Sequence, residues 1–301
     1  MEEISVLIPC YNSGKTIRDC INSVLSQTYP KHNIKIIVAN DGSTDNTLEI
    51  LQNCQMTVGS DNFFIINQEN KGISETRNVL IKHVKTKWFI FLDSDDRYTK
   101  KAFAQMFDTI KNNEDVDLIC SKNSWYLHGT FKRGIFANFF KKNTKLEQYI
   151  VNADYGYVWN KIYRTDFIVN NKIKFLSGNL SEDLYWSTLI LDKKPKIAFC
   201  THHTYFYTKG KKNVSFTLTA KKCEMYVDML KHIIENTNNK LLSTWLYVNM
   251  LLWCSTKIKT DDEIKNIVSQ LNKLVVDKSF NYKVSLWKKI CYKHVKKYFS
   301  I

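Results

Sequence analysis

The sequence predicts an α/β fold built on a mainly parallel sheet flanked by helices, followed by a helical extension. Three observations predict it. Short runs of branched and aromatic residues alternate with stretches of helical period through the first 120 residues. Residues 88–96, WFIFLDSDD, pass from a wholly apolar run to three carboxylates, as a buried parallel strand does where it reaches a ligand-binding sheet edge. Beyond about Thr219 the strand signal stops and helical period continues to Ile301.

Residues 4–9 (ISVLIP) read as the first buried strand. A turn through Cys10, Tyr11, Asn12, Ser13 and Gly14 follows, then a helix over 15–27 whose apolar stripe is Ile17, Ile21, Val24 and Leu25. Gly14-Lys15-Thr16 has Pro9 where a phosphate-binding P-loop needs its first glycine, which excludes that motif. Residues 34–40 (IKIIVAN) form a second strand that ends in Asp41-Gly42-Ser43-Thr44-Asp45, a turn with a built-in helix cap. A third strand over 63–67, a helix over 74–84 with Arg77 one turn inside, a fourth strand over 88–92, a helix over 103–110 and a strand over 116–121 complete the alternation.

After Ser121 the alternation weakens, and residues 123–140 are aromatic and basic without a clean period. Ser181-Glu182-Asp183 ahead of an apolar run reads as a helix start, and two strands are expected over 196–200 and 204–208. The apolar stretch 241–254 is interrupted by Ser243, Thr244 and Asn249 and is too short to cross a bilayer. The last helix, over 284–299, gathers Val284, Trp287, Cys291, Val295 and Tyr298 on one face. Seven lysines and no acid lie between Lys278 and Ile301, a composition that fits an anionic bilayer surface as well as an ordinary solvated basic face.

The net charge of +15 is unevenly spread. Residues 1–120 carry 13 basic and 16 acidic side chains, which leaves 31 basic and 13 acidic for the rest. A basic half suggests anionic partners: a diphosphate ligand, a membrane surface or nucleic acid. Neither a helix-turn-helix nor an RNA-binding signature accompanies the charge, so no nucleic-acid partner is expected. The eight cysteines form no CxxC pair or zinc spacing, which points to reduced thiols in a cytoplasm. The start at Glu2 and Glu3 is unlike a signal peptide.

Asp93, Asp95 and Asp96 repel one another unless a cation or hydrogen-bonding ligand sits among them. A hard divalent metal bridging to phosphate and a helix-capping acidic turn both fit the residues alone.

Five elements in order, ISVLIPCYN, VANDGSTDNT, NKGISETRN, FLDSDD and SED, resemble family 2 glycosyltransferases of the GT-A fold over about residues 1–215. The resemblance implies a GT-A catalytic domain over 1–215, with a nucleotide-sugar-binding half over 1–120 and an acceptor-binding half over 121–215. Residues 216–301 would be a basic helical region able to attach to a membrane surface. It further implies an inverting, metal-dependent transfer from a UDP-sugar to a saccharide acceptor, lipid-linked and at the inner face of a bacterial membrane, in surface-polysaccharide synthesis. The competing classes are a nucleic-acid binder and a catalytically silent scaffold.

Residue by residue, Tyr11 resembles the aromatic that stacks on uracil, and Asp41 the acid that meets its imide N–H. Asn40 stands where the family often has a second acid. Asp93 resembles the ribose contact and Asp95 the ligand of Mn²⁺ or Mg²⁺, with Asp96 orienting the loop. Arg77 matches a position reaching the nucleotide, with a surface salt bridge as the alternative. Pro9, Ser94, Trp159 and Lys161 complete the nucleotide-sugar set, and Asp183 resembles the catalytic base, with Glu182 beside it. Lys209, Lys211 and Lys212 are candidates for a closing loop. His202 and His203 read as ordinary surface or strand histidines, with an added metal ligand as the alternative. The sugar, the acceptor and the linkage are not legible.

Overall fold

The structure is a computed structural model that describes residues 2–113, 115–127, 130–133, 156–178, 182–208 and 220–237. The segments 241–254 and 284–299, with Lys209, Lys211 and Lys212, lie outside the described residues.

Strand β1 (Ile4–Cys10) is buried at every position, because it runs through the middle of a parallel array with cover on both faces. It pairs in parallel with β2 (Ile34–Asp41) and with β4 (Trp88–Phe91), and β2 pairs in parallel with β3 (Phe63–Gln68). Helix α1 (Ile17–Leu25) buries Ile17, Cys20, Ile21 and Val24 at helical spacing. Helices α2 (Thr47–Val58), α3 (Ile73–Lys82) and α4 (Ala102–Lys111) follow their strands as the alternation predicts.

The second half of the sheet is mixed. After the two-residue β5 (Arg97–Tyr98) come β6 (Leu118–Leu127), β7 (Thr130–Arg133), β8 (Lys161–Arg164) and β9 (Ile197–Thr208). The sheet order is β3-β2-β1-β4-β8-β6-β9-β5, with β7 on β6. Strand β8 runs antiparallel between β4 and β6, whereas β9 is parallel to β6. The two strands expected over 196–200 and 204–208 are one. Ser121 pairs with Cys200, Lys122 with His203 and Asn123 with Tyr205, so β9 carries extra residues at a bulge. The polar run Thr201, His202, His203 lies there and breaks the alternation that a straight strand would show.

The core beneath the sheet edge is aromatic. Phe89 stacks on Tyr163 at 5.2 Å, and Phe91 meets Tyr163 and Phe175 edge-on at 6.1 and 5.6 Å. Each such buried ring contributes about 1.5–3 kcal/mol.

Two compact units form, Met1–Gly178 with Lys193–Lys211, and Asn179–Asp192 with Lys212–Ile301. The first contains the sheet, with the short helix α5 (Thr165–Asn170). The second contains α6 (Glu182–Asp192) and α7 (Ala220–Asn236), which pack on each other. Their buried residues include Trp186, Ile190 and Leu191 on α6 and Val227, Leu230 and Ile233 on α7.

Gly42, at the end of β2, has φ +71°, and a Cβ there would lie 2.8 Å from the backbone nitrogen of Asn70. Gly42→Ala is therefore expected to destabilise the fold by about 1–3 kcal/mol, read as a lowered midpoint in urea denaturation. An unchanged midpoint would show that the Asn70 loop is free to retreat.

Candidate active site

The order β3-β2-β1-β4 places a topological switch between β1 and β4, and the chain leaves both strands at the same sheet edge. Two loops there are stitched together. Asn12 N–H donates to Ser43 Oγ at 2.9 Å and Thr44 N–H to Asn12 Oδ1 at 2.8 Å. Ser13 N–H donates to Thr47 Oγ1 at 2.8 Å, and Gly14 N–H to Asp45 Oδ2 at 3.0 Å. Asn12 sits at φ +50°, a left-handed conformation that asparagine tolerates. Tyr11, between these bonds, is 51% exposed. The Thr47 hydroxyl, Gly14 N–H and Thr47 N–H bound to Asp45 hold its carboxyl below the usual carboxylate range.

Asp41 has a different local role from the cap, which falls to Asp45. It is buried, and its Oδ1 accepts from Gln68 Nε2 at 2.7 Å and Lys71 N–H at 2.9 Å, while Oδ2 accepts from Gly72 N–H at 2.9 Å. These bonds tie the end of β2 to the loop that opens α3. Asn40 is buried beside it and donates to Asn67 Oδ1 at 2.7 Å. Pro9 lies buried within β1, in register with Ala39.

Arg77 is not on the surface. Its side chain is 4% exposed, its Nη2 lies 3.0 Å from Asp93 Oδ1, and its guanidinium carbon is 5.9 Å from the Phe91 ring centroid and 5.4 Å from that of Phe175. A guanidinium set against two contacting rings and a carboxylate is a desolvated cation with a matched anion. The three acids after β4 thus diverge in surroundings. Asp93 faces Arg77. Asp96 is buried, with Oδ2 accepting from the Tyr205 hydroxyl at 2.8 Å and Oδ1 from Thr208 N–H at 2.7 Å. Burial, followed by the charges of Asp93 and Asp95, pushes its carboxyl well above the usual range.

Asp95 remains exposed on its outer side. Desolvation by burial, followed by the charge of Asp93, raises its carboxyl above the usual range. Ser94 Oγ lies 2.7 Å from Ser13 Oγ, so the two loops of the switch are joined by a hydroxyl pair. Among the described residues no group of three or more His, Cys, Asp or Glu side chains is placed to hold a metal ion unaided.

Trp159 and Lys161 arrive at the same edge at the start of β8, and both are buried. Lys161 Nζ donates to Asn160 Oδ1 at 2.8 Å and also contacts the Tyr157 carbonyl. Asp183 and Glu182 occupy the first turn of α6, in the second unit, and both are half-buried.

A family model described as Glycosyl transferase family 2 matches residues 5–177. The chain belongs to this family. Among its relatives, YibD of Escherichia coli, named an uncharacterized glycosyltransferase, is 27% identical over 227 residues, 71% of this chain and 63% of that protein. The poly(ribitol-phosphate) beta-glucosyltransferase of Bacillus spizizenii is 30% identical over 210 residues, 68% of this chain. This chain covers only 32% of that relative's length. Residues 1–349 of S. aureus TarS, crystallised with UDP-GlcNAc, superpose with a TM-score of 0.66 at 22% identity, covering 97% of this chain and 79% of that one. That likeness establishes the GT-A fold.

The sequence reading missed Ser13, Tyr205 and Thr208, which bond to the acidic turn, and Phe175, which packs against Arg77. Tyr205 is 109 positions from Asp96, and no spacing signal links them. Tyr205→Phe leaves the buried Asp96 oxygen short of a donor, and a loss of about 1–3 kcal/mol in unfolding free energy is expected. Equal stability of the two proteins in urea denaturation would mean that the bond contributes nothing net.

Proposed function

We propose that this family 2 glycosyltransferase moves one sugar from a UDP-sugar to a saccharide acceptor with inversion, using a divalent ion, in the synthesis of a bacterial surface polymer. The observation that carries the reading is the sheet edge where an exposed Tyr11 and an exposed Asp95 flank the Arg77–Asp93 pair.

In this reading Tyr11 offers its open ring face to uracil, and Asp41 meets the imide N–H while holding the Lys71–Gly72 backbone. Arg77 fixes one oxygen of Asp93 and leaves the other for the ribose hydroxyls. Ser94 and Ser13 keep the two loops in register, with Pro9 delivering the first. The chemistry of the acidic turn fits Mn²⁺ or Mg²⁺. Asp95 supplies a carboxylate, and such ions are commonly held by one or two carboxylates plus substrate phosphates rather than by an all-protein cage. When bound, the ion stabilises the charge that develops on the leaving diphosphate. Asp183, a half-buried carboxylate on α6, is the general base that takes the acceptor proton, and Glu182 orients the acceptor. Trp159 and Lys161 form the floor under the sugar rather than an open contact, given their burial.

The name of the Bacillus spizizenii relative, a poly(ribitol-phosphate) beta-glucosyltransferase, supports a polymer product, and in this reading the acceptor is a saccharide on a lipid carrier. No helix among the described residues is long and apolar enough to cross a membrane. Attachment to the inner face of the cell membrane therefore rests in this reading on the lysine-rich residues 278–301.

UDP-glucose, UDP-galactose and their N-acetylated counterparts, offered with and without Mn²⁺, test the proposal. Transfer with inverted anomeric configuration is expected from one of them. Asp95→Asn should lower turnover by about 10²-fold or more, as should Asp183→Asn, the latter with UDP affinity intact. A product of retained configuration would overturn the inverting mechanism, and a folded Asp183→Asn protein that no longer binds UDP would remove the base assignment. For the membrane reading, flotation with anionic vesicles is expected to carry the protein and to weaken as salt rises, whereas neutral vesicles leave it behind. Equal behaviour with both lipids would sink the electrostatic attachment.

A further inference from the structure

The sheet ends differently at its two sides. At one end β5 is two residues long and carries Arg97, which pairs with Asp19 at 3.1 Å, so little open edge is left there. At the other end β3 is six residues long (FFIINQ), with no proline, glycine or charged residue in it. Short length, lysines and prolines are the usual means by which an edge strand is kept from pairing with another chain. Strand β3 has none of them. Phe64 on it is 42% exposed, and Ile66, on the same side of the strand, is half-buried.

The hydrogen-bonding groups of this edge follow from the register. Ile36 N–H donates to the Asn62 carbonyl at 2.8 Å. In a parallel ladder this turns the backbone of Phe64, Ile66 and Gln68 towards β2 and that of Phe63, Ile65 and Asn67 away from it. Phe63 is satisfied by its own turn. Its N–H donates to the Gly59 carbonyl at 3.1 Å, and its carbonyl accepts from Gln55 Nε2 at 2.8 Å. Among the described residues nothing bonds to the backbone N–H or C=O of Ile65 or Asn67 on this outer side. Two donors and two acceptors therefore face outward, with Ile66 midway between them.

One antiparallel register joins these four groups to the same four of an identical strand. A two-fold axis through Ile66 sets Ile65 opposite Asn67 of a second copy, and Asn67 opposite its Ile65, each pair exchanging two N–H···O=C bonds. An axis at Ile65 would call on Phe63, whose groups are taken, and an axis at Asn67 would call on Glu69, past the end of the strand. In the Ile66 register the two Ile66 side chains meet on the axis, and each Phe64 lies opposite Gln68 and diagonal to Ile66 of the other copy. Beyond the strand ends the same register brings exposed Asp61 towards exposed Lys71 of the other copy, a pair of opposite charges.

We propose that β3 is a dimerisation edge, at which two copies of this chain join antiparallel across a two-fold axis at Ile66 into one continuous sheet. The partner is a second copy because the edge complements itself in donors and acceptors, in apolar side chains and in the charges that flank it.

Sedimentation equilibrium of the full chain between about 1 and 300 µM tests the proposal, and a monomer–dimer equilibrium in the micromolar range is expected of so small an interface. Ile66→Lys and Ile66→Glu each set like charges on the axis. Either variant alone should associate at least about ten-fold more weakly, and an equimolar mixture of the two should associate again. Ile65→Pro removes an outward N–H without touching the ladder to β2, and should weaken association about five-fold or more. In the wild type, amide exchange at Ile65 and Asn67 should slow as concentration rises, whereas Phe64 and Ile66, already bonded to β2, should not respond. Circular dichroism checks the fold of each variant; where a charged variant does not fold, Ile65→Pro and the wild-type exchange decide. A chain that stays monomeric throughout the range, a dimer that survives the Ile66 charges and Ile65→Pro, or folded Lys and Glu variants that do not associate when mixed, overturns the proposal. None of these readouts depends on the glycosyltransferase reaction.

Discussion

The geometry of the sheet edge depends on one buried cation. Three carboxylates within four residues do not stay together at a strand end without compensation. Arg77 supplies it from the side, held against the Phe91–Phe175 pair and aimed at Asp93. With Asp93 neutralised in place, the other two acids turn in opposite senses. Asp96 goes inward, where Tyr205 and Thr208 take its oxygens, and Asp95 stays at the solvent side. The cost of desolvating a guanidinium is offset only because carboxylate and rings are all in position, so α3, β4 and the segment bearing Phe175 are tied into one arrangement.

Around that pair, backbone order does the rest. Parallel pairing of β1 with both β2 and β4 sends their loops to one edge. Hydrogen bonds from Asn12, Ser13 and Gly14 then lock the first loop onto the second, and the Ser13–Ser94 hydroxyl pair locks it onto the third. Much of the DGSTDNT run therefore serves the Tyr11 loop structurally. Ser43, Asp45 and Thr47 are the partners that shape it.

The parallel half of the sheet was readable because its signals are local. Apolar runs, turn residues and helical stripes each lie within a dozen residues, and β1 to β4 with α1 to α4 fall where the pattern puts them. The mixed half was harder because its rules are non-local. Strand β9 looked like two strands since its bulge places Thr201, His202 and His203 against the alternation. Among site residues, Asp93 and Asp95 stood out through crowded charge after an apolar run, and Arg77 through the family resemblance alone. What the sequence did not show was their surroundings. The burial of Arg77 depends on Phe175, nearly a hundred residues away, and the fixation of Asp96 on Tyr205. Lys161 looked like a ligand contact because Trp159 to Lys161 resembles the family segment that flanks the acceptor and the donor sugar. Its burial under the Tyr157 turn comes from the antiparallel insertion of β8, which no local pattern announces.

The division into two units carries a consequence for how this chain can be cut or recombined. The segment Asn179–Asp192 groups with Lys212–Ile301, while Lys193–Lys211 returns to the sheet. The backbone therefore passes from one unit to the other three times. A truncation placed after β9 would keep α6 and remove α7, exposing Trp186, Ile190 and Leu191 on a helix deprived of its packing partner. Neither unit can be excised as a cassette by one cut, and a protease nick in any single passage yields two pieces of which at least one carries segments of both units.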